Sequence, residues 1–332
     1  MGCMNFRQAL PALLAIALLS LAGLATRAQT AAHPTAKPQL VLIDTDIGDD
    51  IDDAFAVALA LRSPELHILG ITTAFGDTEL RARLLDRYLA AVGRTDIPVA
   101  VGVPTPHSNV FTQAAYAERE PDRKHADGVS FLLDQIRRHP GEITLIAIGP
   151  EDNLGAAIQR DPSTFRKLKR VVLMGGSIDR GYDGPNGERR PPDAEWNIAR
   201  DPAGFKALLG SGVPIFMMPL DSTQIHLEEP EREKLFGFGS PLTDQLTLLY
   251  HQWKANTDNH SPTPTLFDPV TVAYIDHPEL CPVTPMHVDV DDKGFTRRGE
   301  GAPNAQVCLN SDEKVFLELL KGRLAETGPG QP

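Results

Sequence analysis

From residue 39 onward the chain alternates short apolar, β-branched runs with longer stretches in which apolar positions return every three or four residues. The runs are LVLID (40–44), LHILGITT (66–73), IPVAVG (97–102), ITLIAIG (143–149), RVVLMGG (170–176) and PIFMMPLD (214–221). Between them stand DDAFAVALALRS, DTELRARLLDRYLAAVG, VSFLLDQIRR, NLGAAIQ and DPAGFKALLGSG, each at or just after an Asp, the residue that favours a helix N-terminus. Strands apolar on both faces, alternating with helices, predict an α/β fold: a mostly parallel, open sheet covered by helices on both sides. After Asp221 the pattern becomes helical (PLTDQLTLLYHQWKANT, DPVTVAYI). It ends in MHVDVDDKGFTRRGEGAPNAQVCLN, which reads as a β-hairpin appended to the body.

In such sheets ligands bind beyond the carboxyl ends of the strands, and polar residues recur there. They are Asp44 and Asp46 after the first run, Asp77 after the second, Asp152 and Asn153 after the fourth, Met174 at the end of the fifth, and Asp221 after the sixth. Each alone suits a turn or a cap as well as a site; their convergence on one edge shifts the balance.

The two ends change the picture. Residues 1–28 carry a basic Arg7, an apolar run and a small-x-small cleavage site at Thr26-Arg27-Ala28, an export signal whose removal leaves no stable membrane insertion. A tether (29–38), one domain (39–325) and a frayed tail (326–332) complete the expected organisation. The expected location is therefore periplasmic or secreted. There the two remaining cysteines, Cys281 and Cys308, default to a disulfide that staples the hairpin to the body. The mature chain keeps 30 basic against 44 acidic side chains, 30 − 44 = −14, which argues against a nucleic-acid partner.

The candidate chemistry concentrates in DTDIGDDIDDA, where Asp44, Asp46, Asp49, Asp50, Asp52 and Asp53 stand between two apolar runs. Carboxylates this close raise one another's pKa and destabilise a fold unless a cation neutralises them, and a hard cation held by oxygen is the economical answer. An EF-hand is excluded, because the sixth position from Asp44 is Asp49 rather than Gly and the twelfth is Phe55 rather than Glu. No His or Cys cluster has zinc spacing.

Taken in order, DTDIGDDIDDA, ITTAFGD, IAIGPEDNLGAAI, VVLMGGS, AEWNIARDP, PLDST and FDPVTVAY resemble the inosine/uridine-preferring nucleoside hydrolase family, over about Leu40 to Pro278. The resemblance implies hydrolysis of the N-glycosidic bond of a small-molecule ribonucleoside, with a Ca2+ ion as cofactor and an Asp-activated water as nucleophile. It implies Asp46 as base and metal ligand, and Asp53, the Asp152 backbone carbonyl and Asp268 as further ligands. Asp52, Asp77, Glu195, Asn197 and Asp268 would bind substrate, and Met174 would face the sugar. Family members often form dimers or tetramers, so a homo-oligomer is admissible.

Four departures stand out. Two extra residues around Asp49 and Asp50 separate Asp46 from the Asp52–Asp53 pair; Asp77 replaces a common Asn; Asp152 replaces a common Thr; and Phe267 stands where many members carry a His that protonates the leaving base. His125, Tyr250, His251 and Trp253 are alternative pocket residues, each with packing or surface exposure as the blander reading. Two other readings fit parts of the chain. One is a haloacid-dehalogenase-type phosphatase built on Asp44-Thr45-Asp46, against which Gly48 stands where Thr or Val is needed. The other is an exported nucleoside- or calcium-binding protein without turnover, which Phe267 keeps in play.

Overall fold

The computed structural model describes residues 37–106, 110–184, 187–257 and 262–325. The export signal, the tether up to residue 36 and the tail 326–332 lie outside the described residues.

Among the described residues eleven strands are formed: β1 Gln39–Thr45, β2 Leu66–Thr73, β3 Val99–Val101, β4 Ala126–Asp127, β5 Thr144–Ile148, β6 Arg170–Met174, β7 Ile215–Met218, β8 Val283–Met286, β9 Val288–Val290, β10 Thr296–Arg298 and β11 Ala305–Cys308. Nine of them make one sheet in the order β4-β3-β2-β1-β5-β6-β7-β11-β8, parallel except for β8. Successive residues of its central strands enter different cores. Val41, Ile43, Ile146, Ile148, Val172 and Met174 pack with the helices Asp52–Leu61, Thr78–Ala91 and Pro241–Asn256. Leu42, Leu145, Ala147, Val171 and Leu173 pack with the helices Gly128–Arg138, Asp152–Arg160 and Pro202–Leu209. Burial on both sides explains why these strands read as continuous apolar runs, and bears out the expected fold class.

The strand order also fixes where a ligand can sit. From β1 the chain proceeds to β2 on one side, while β5 lies on the other, so the order reverses at the β1/β5 pair. Neighbouring strand ends diverge there and leave a crevice beyond their carboxyl edge. Asp44, Asp46 and the following loop leave β1 at that point, and Gly149 leaves β5 so close that a Cβ would lie 2.9 Å from the Asp46 nitrogen.

The C-terminal region holds the expected disulfide-stapled hairpin, β8 paired antiparallel with β11, but joined to the main sheet rather than appended to it. β9 and β10 pair as an antiparallel hairpin, but β8 and β11 belong to the main sheet, with β11 parallel to β7. Val307 and Cys308 are fully buried, so this segment completes the sheet rather than hanging from it. Cys281 and Cys308 are joined, and the bond ties the exit of the short helix Pro278–Leu280 to β11. The final helix Glu313–Leu324, which the sequence reading did not single out, buries Phe316, Leu320 and Leu324. Among the described residues no helix is long and apolar enough to cross a membrane.

Candidate active site

The loop after β1 turns through Gly48, whose φ of +127° and contact with Phe111 admit no side chain: a Cβ there would lie 1.9 Å from the Phe111 ring. The helix Asp52–Leu61 then begins, with Asp52 and Asp53 in its first turn and buried. Thr45 at the end of β1 donates to Asp53 Oδ1. Asp268 arrives from far along the chain, directly before the helix Pro269–Ala273, and its side chain is not spent on capping. Its backbone N–H donates to Asp52 Oδ2 at 3.3 Å. One carboxylate oxygen from each of Asp52, Asp53 and Asp268 lies within 4.8 Å of the others, and all three residues are buried.

Such an arrangement is costly as it stands. Burial first, then mutual repulsion, pushes the pKa values of Asp52, Asp53 and Asp268 well above the carboxylate range. Asp46 contributes to the repulsion felt by all three, and its own pKa is pushed up to about 7 by burial, against the pull of Arg81. An all-oxygen, buried, negatively charged donor set fits a hard divalent cation, whose charge would offset both the burial and the repulsion.

Arg81, which the sequence reading missed, is fully buried beneath the loop. Its guanidinium donates to the carbonyls of Asp46 and Ile47 (2.9 Å) and of Phe75 (2.8 Å), and to Asp49 Oδ2 at 3.1 Å. It thus ties the exits of β1 and β2 together with a planar fork of donors. Phe75 takes a left-handed φ of 60°, a strained conformation for a non-glycine, and its ring meets Trp196 edge-on at 6.0 Å.

The cavity above these carboxylates has a volume of about 420 Å3. Of the residues named from the sequence, Asp46, Asp52, Asp53, Asp268, Met174, Glu195 and Asn197 line it. Glu195 caps the helix Trp196–Arg200, accepting from Asn197 N (2.9 Å) and Ile198 N (3.2 Å), and also from Gly176 N (2.8 Å). Burial nevertheless pushes its pKa up to about 7. Asn197 Nδ2 donates to the Met174 carbonyl at 3.2 Å, holding the end of β6. Two expected residues lie elsewhere. Asp77 is exposed and accepts from Leu80 N as the N-cap of Thr78–Ala91. Asp152 opens the helix after β5, half-buried, without lining the cavity. Asp44 is buried behind the loop, held by Thr72 and by Asn153 Nδ2 at 2.7 Å.

An aromatic wall of Tyr182, Trp196, Trp253 and Phe267 also lines the cavity, with Phe267 directly before Asp268 of the acidic floor. Tyr182 meets Phe267 edge-on at 6.1 Å, and its hydroxyl accepts from Trp196 N at 2.9 Å. Of the alternative pocket residues only Trp253 reaches the cavity. Tyr250 is buried and donates to Pro262 O at 2.7 Å, His251 is exposed, and His125 is bound to Asp86 at 2.8 Å. The side chain of His125 is buried, where a surface loop position was the blander expectation.

A family model described as inosine-uridine preferring nucleoside hydrolase matches residues 41–318 and so includes β8 to β11. The pyrimidine-specific ribonucleoside hydrolase RihA of Citrobacter koseri is 33% identical over 316 residues, 86% of this chain and 97% of that protein. The RihA of Shigella boydii is 30% identical, with the same coverage. Among solved structures, a plant nucleoside hydrolase, PpNRh1, superposes with a TM-score of 0.77 at 28% identity, covering 87% of this chain and 100% of its own. A purine-preferring ribonucleoside hydrolase from Gardnerella vaginalis shares the fold, with a TM-score of 0.74 at 24% identity over 86% of this chain and 98% of its own.

Proposed function

Because the chain belongs to the inosine-uridine preferring nucleoside hydrolase family and is thereby an N-ribohydrolase, we propose that it cleaves ribonucleosides with calcium bound at the Asp52–Asp53–Asp268 floor and with Asp46 as the base. The observation that carries this reading is the convergence of three buried carboxylates beside Asp46, at the point where the sheet order reverses. Calcium, when bound, supplies the positive charge that keeps these carboxylates ionised and acidifies water.

The residues of the chain do the rest. Asp46 removes a proton from water as the new C1′–O bond forms, and a carboxylate held buried at this edge is placed to act as that base. The C1′–N bond breaks with its electron pair going to the base, through an oxocarbenium-like ribosyl species that needs no covalent capture. Asp52 at the floor, with Glu195 and Asn197 lining the same cavity, suits the ribose hydroxyls as well as the ion. The aromatic wall suits stacking against the base; Phe267 cannot donate a proton to it, so acid catalysis comes from another group or is unnecessary. Asp77 and the Asp152 carbonyl keep only the support of the resemblance.

The relatives' names divide between pyrimidine and purine preference, so family membership leaves the base open. The N-terminal segment and the Cys281–Cys308 bond support an exported enzyme. The test is product analysis on a panel of ribonucleosides and nitrophenyl riboside in phosphate-free buffer. Free ribose is expected from the ribonucleosides; ribose release from none of the panel would overturn the assignment.

A further inference from the structure

The loop after β1 is held by two parts of the chain, which reach different residues. One is a rim of hydrogen bonds from Thr112, Gln113 and Asn256. Thr112 Oγ1 donates to the carbonyls of Gly48 (3.2 Å) and Asp49 (2.7 Å), and Gln113 Nε2 to that of Asp50 (2.6 Å). Asn256 Nδ2 donates in turn to the Thr112 carbonyl at 3.0 Å, and Thr112 and Asn256 both line the cavity. The carbonyls of Asp46 and Ile47 go instead to Arg81, which stands on the helix Thr78–Ala91 without exposed surface.

A guanidinium has five N–H donors in one plane, and four serve this junction. Nε reaches the Phe75 carbonyl, Nη1 those of Asp46 and Ile47, and Nη2 the Asp49 carboxylate, with which it forms an ion pair. Phe75 is held at a left-handed φ of 60°, a costly conformation for a non-glycine, and its carbonyl is one of those taken by the fork. The guanidinium also stands over the Phe111 ring at 5.0 Å, the ring that closes on Gly48. At the other flank of Asp46, a Cβ on Gly149 would lie 2.9 Å from its nitrogen and 3.0 Å from its Oδ1. Asp46 is thus fixed at its carbonyl by the fork and at its nitrogen and carboxylate by the exit of β5.

We propose that Arg81 is a positioning residue for Asp46: its fork fixes the backbone from which the Asp46 carboxylate reaches the cavity, and it does so by geometry rather than by charge alone. This rests on Asp46 being the base of the proposed hydrolysis. A lysine in the same place keeps the charge, but it is a point donor with three N–H groups and cannot bridge the exits of β1 and β2 from one plane. A base displaced by about 1 Å can lose about a hundredfold in rate. Loosening the Asp46 and Ile47 carbonyls should therefore appear in kcat, while the Asp52–Asp53–Asp268 floor, which Arg81 does not touch in any of these bonds, keeps its ion.

The experiment measures kcat, nucleoside KM and bound calcium for wild type and Arg81→Lys, at a temperature where circular dichroism shows both folded. In the variant kcat at saturating nucleoside and calcium is expected to fall by about tenfold or more, with KM and calcium stoichiometry kept. A purely structural arginine would lower the melting temperature and leave kcat per folded chain unchanged, and that result overturns the proposal. Loss of calcium, or a rise in KM with kcat intact, overturns it as well. If Arg81→Lys fails to fold, Asp49→Asn decides: it removes the ion pair that aims the fork, so kcat should fall in the same way but less, and an unchanged kcat overturns the proposal. Should wild type release ribose from no nucleoside, the hydrolase reading falls separately. Amide hydrogen exchange over residues 46–48 then decides for Arg81, with exchange about tenfold faster in the variant supporting it and equal exchange overturning it.

Discussion

The floor of the cavity takes Asp46, Asp52 and Asp53 from the loop and first helical turn after β1 and Asp268 from afar, whereas the aromatic wall draws on Tyr182, Trp196, Trp253 and Phe267, each in a different segment. The floor is expensive by itself, since burial and repulsion raise every carboxylate in it, and its stability depends on what it binds. The wall needs no ligand: edge-on aromatic contacts and the rim of hydrogen bonds through Thr112 and Asn256 hold it. Under the proposed function the difference assigns chemistry to the floor and selectivity to the wall. Changes to the floor should abolish turnover for every substrate, and changes to the wall should redistribute it among substrates.

Asp53→Ala is expected to have the largest effect. Removing a charged ligand from a site whose affinity depends on carboxylate count should leave purified protein without stoichiometric calcium and lower turnover by on the order of a thousandfold. Metal analysis of the variant checks it, and stoichiometric calcium would remove Asp53 from the ligand set. Asp46→Asn should keep the metal but lose about a hundredfold in kcat at saturating calcium, the scale of a general base. If Asp52→Asn or Asp50→Asn abolishes turnover while Asp46→Asn barely alters it, the base is another member of the loop.

On the wall, Phe267→His should raise kcat/KM for inosine by about tenfold relative to nitrophenyl riboside, whose leaving group needs no acid. Equal changes for both substrates would show that protonation of the base is not limiting in the wild type.

The smallest effect lies beneath the floor. Glu151 is buried, both of its carboxylate oxygens lack a hydrogen-bond partner, and desolvation followed by Glu195 raises its pKa well above the usual 4.5. A folded-state pKa raised in an acid means that the native state binds the proton more tightly. The penalty is therefore absent below about pH 4.5 and grows as pH rises through the folded-state value. Glu151→Gln should stabilise the chelated protein by about 1 kcal/mol or more at neutral pH and by nothing measurable at pH 4. Denaturant midpoints at the two pH values check the sign, and equal shifts at both would contradict it.

The same contrast explains what was legible in the sequence. Apolar runs buried on both faces located the central strands, and LHILGITT coincides with β2 to the residue, because a fully buried strand leaves periodicity little choice. Floor residues were legible because a crowded Asp loop has few structural excuses. Arg81 escaped because an arginine in an amphipathic helix looks like a surface residue, and only the tertiary fold turns its guanidinium under the loop. The wall was mostly invisible: Trp253 at helical spacing reads as core, and Tyr182 and Trp196 lie in a long connection with no periodic signal. The segment holding Cys308 was read as an appendage, because the parallel pairing of β11 with β7 depends on residues 90 positions apart.

The central claim, that the acidic floor works only when it holds a hard cation, is met most directly by one titration. Protein stripped with chelator should release no ribose from its best nucleoside, and turnover should return in step with calcium added to one equivalent per chain, while the carboxylates give up protons to the buffer as the ion binds. Full turnover in excess chelator, with no metal detectable in the protein, would contradict the account.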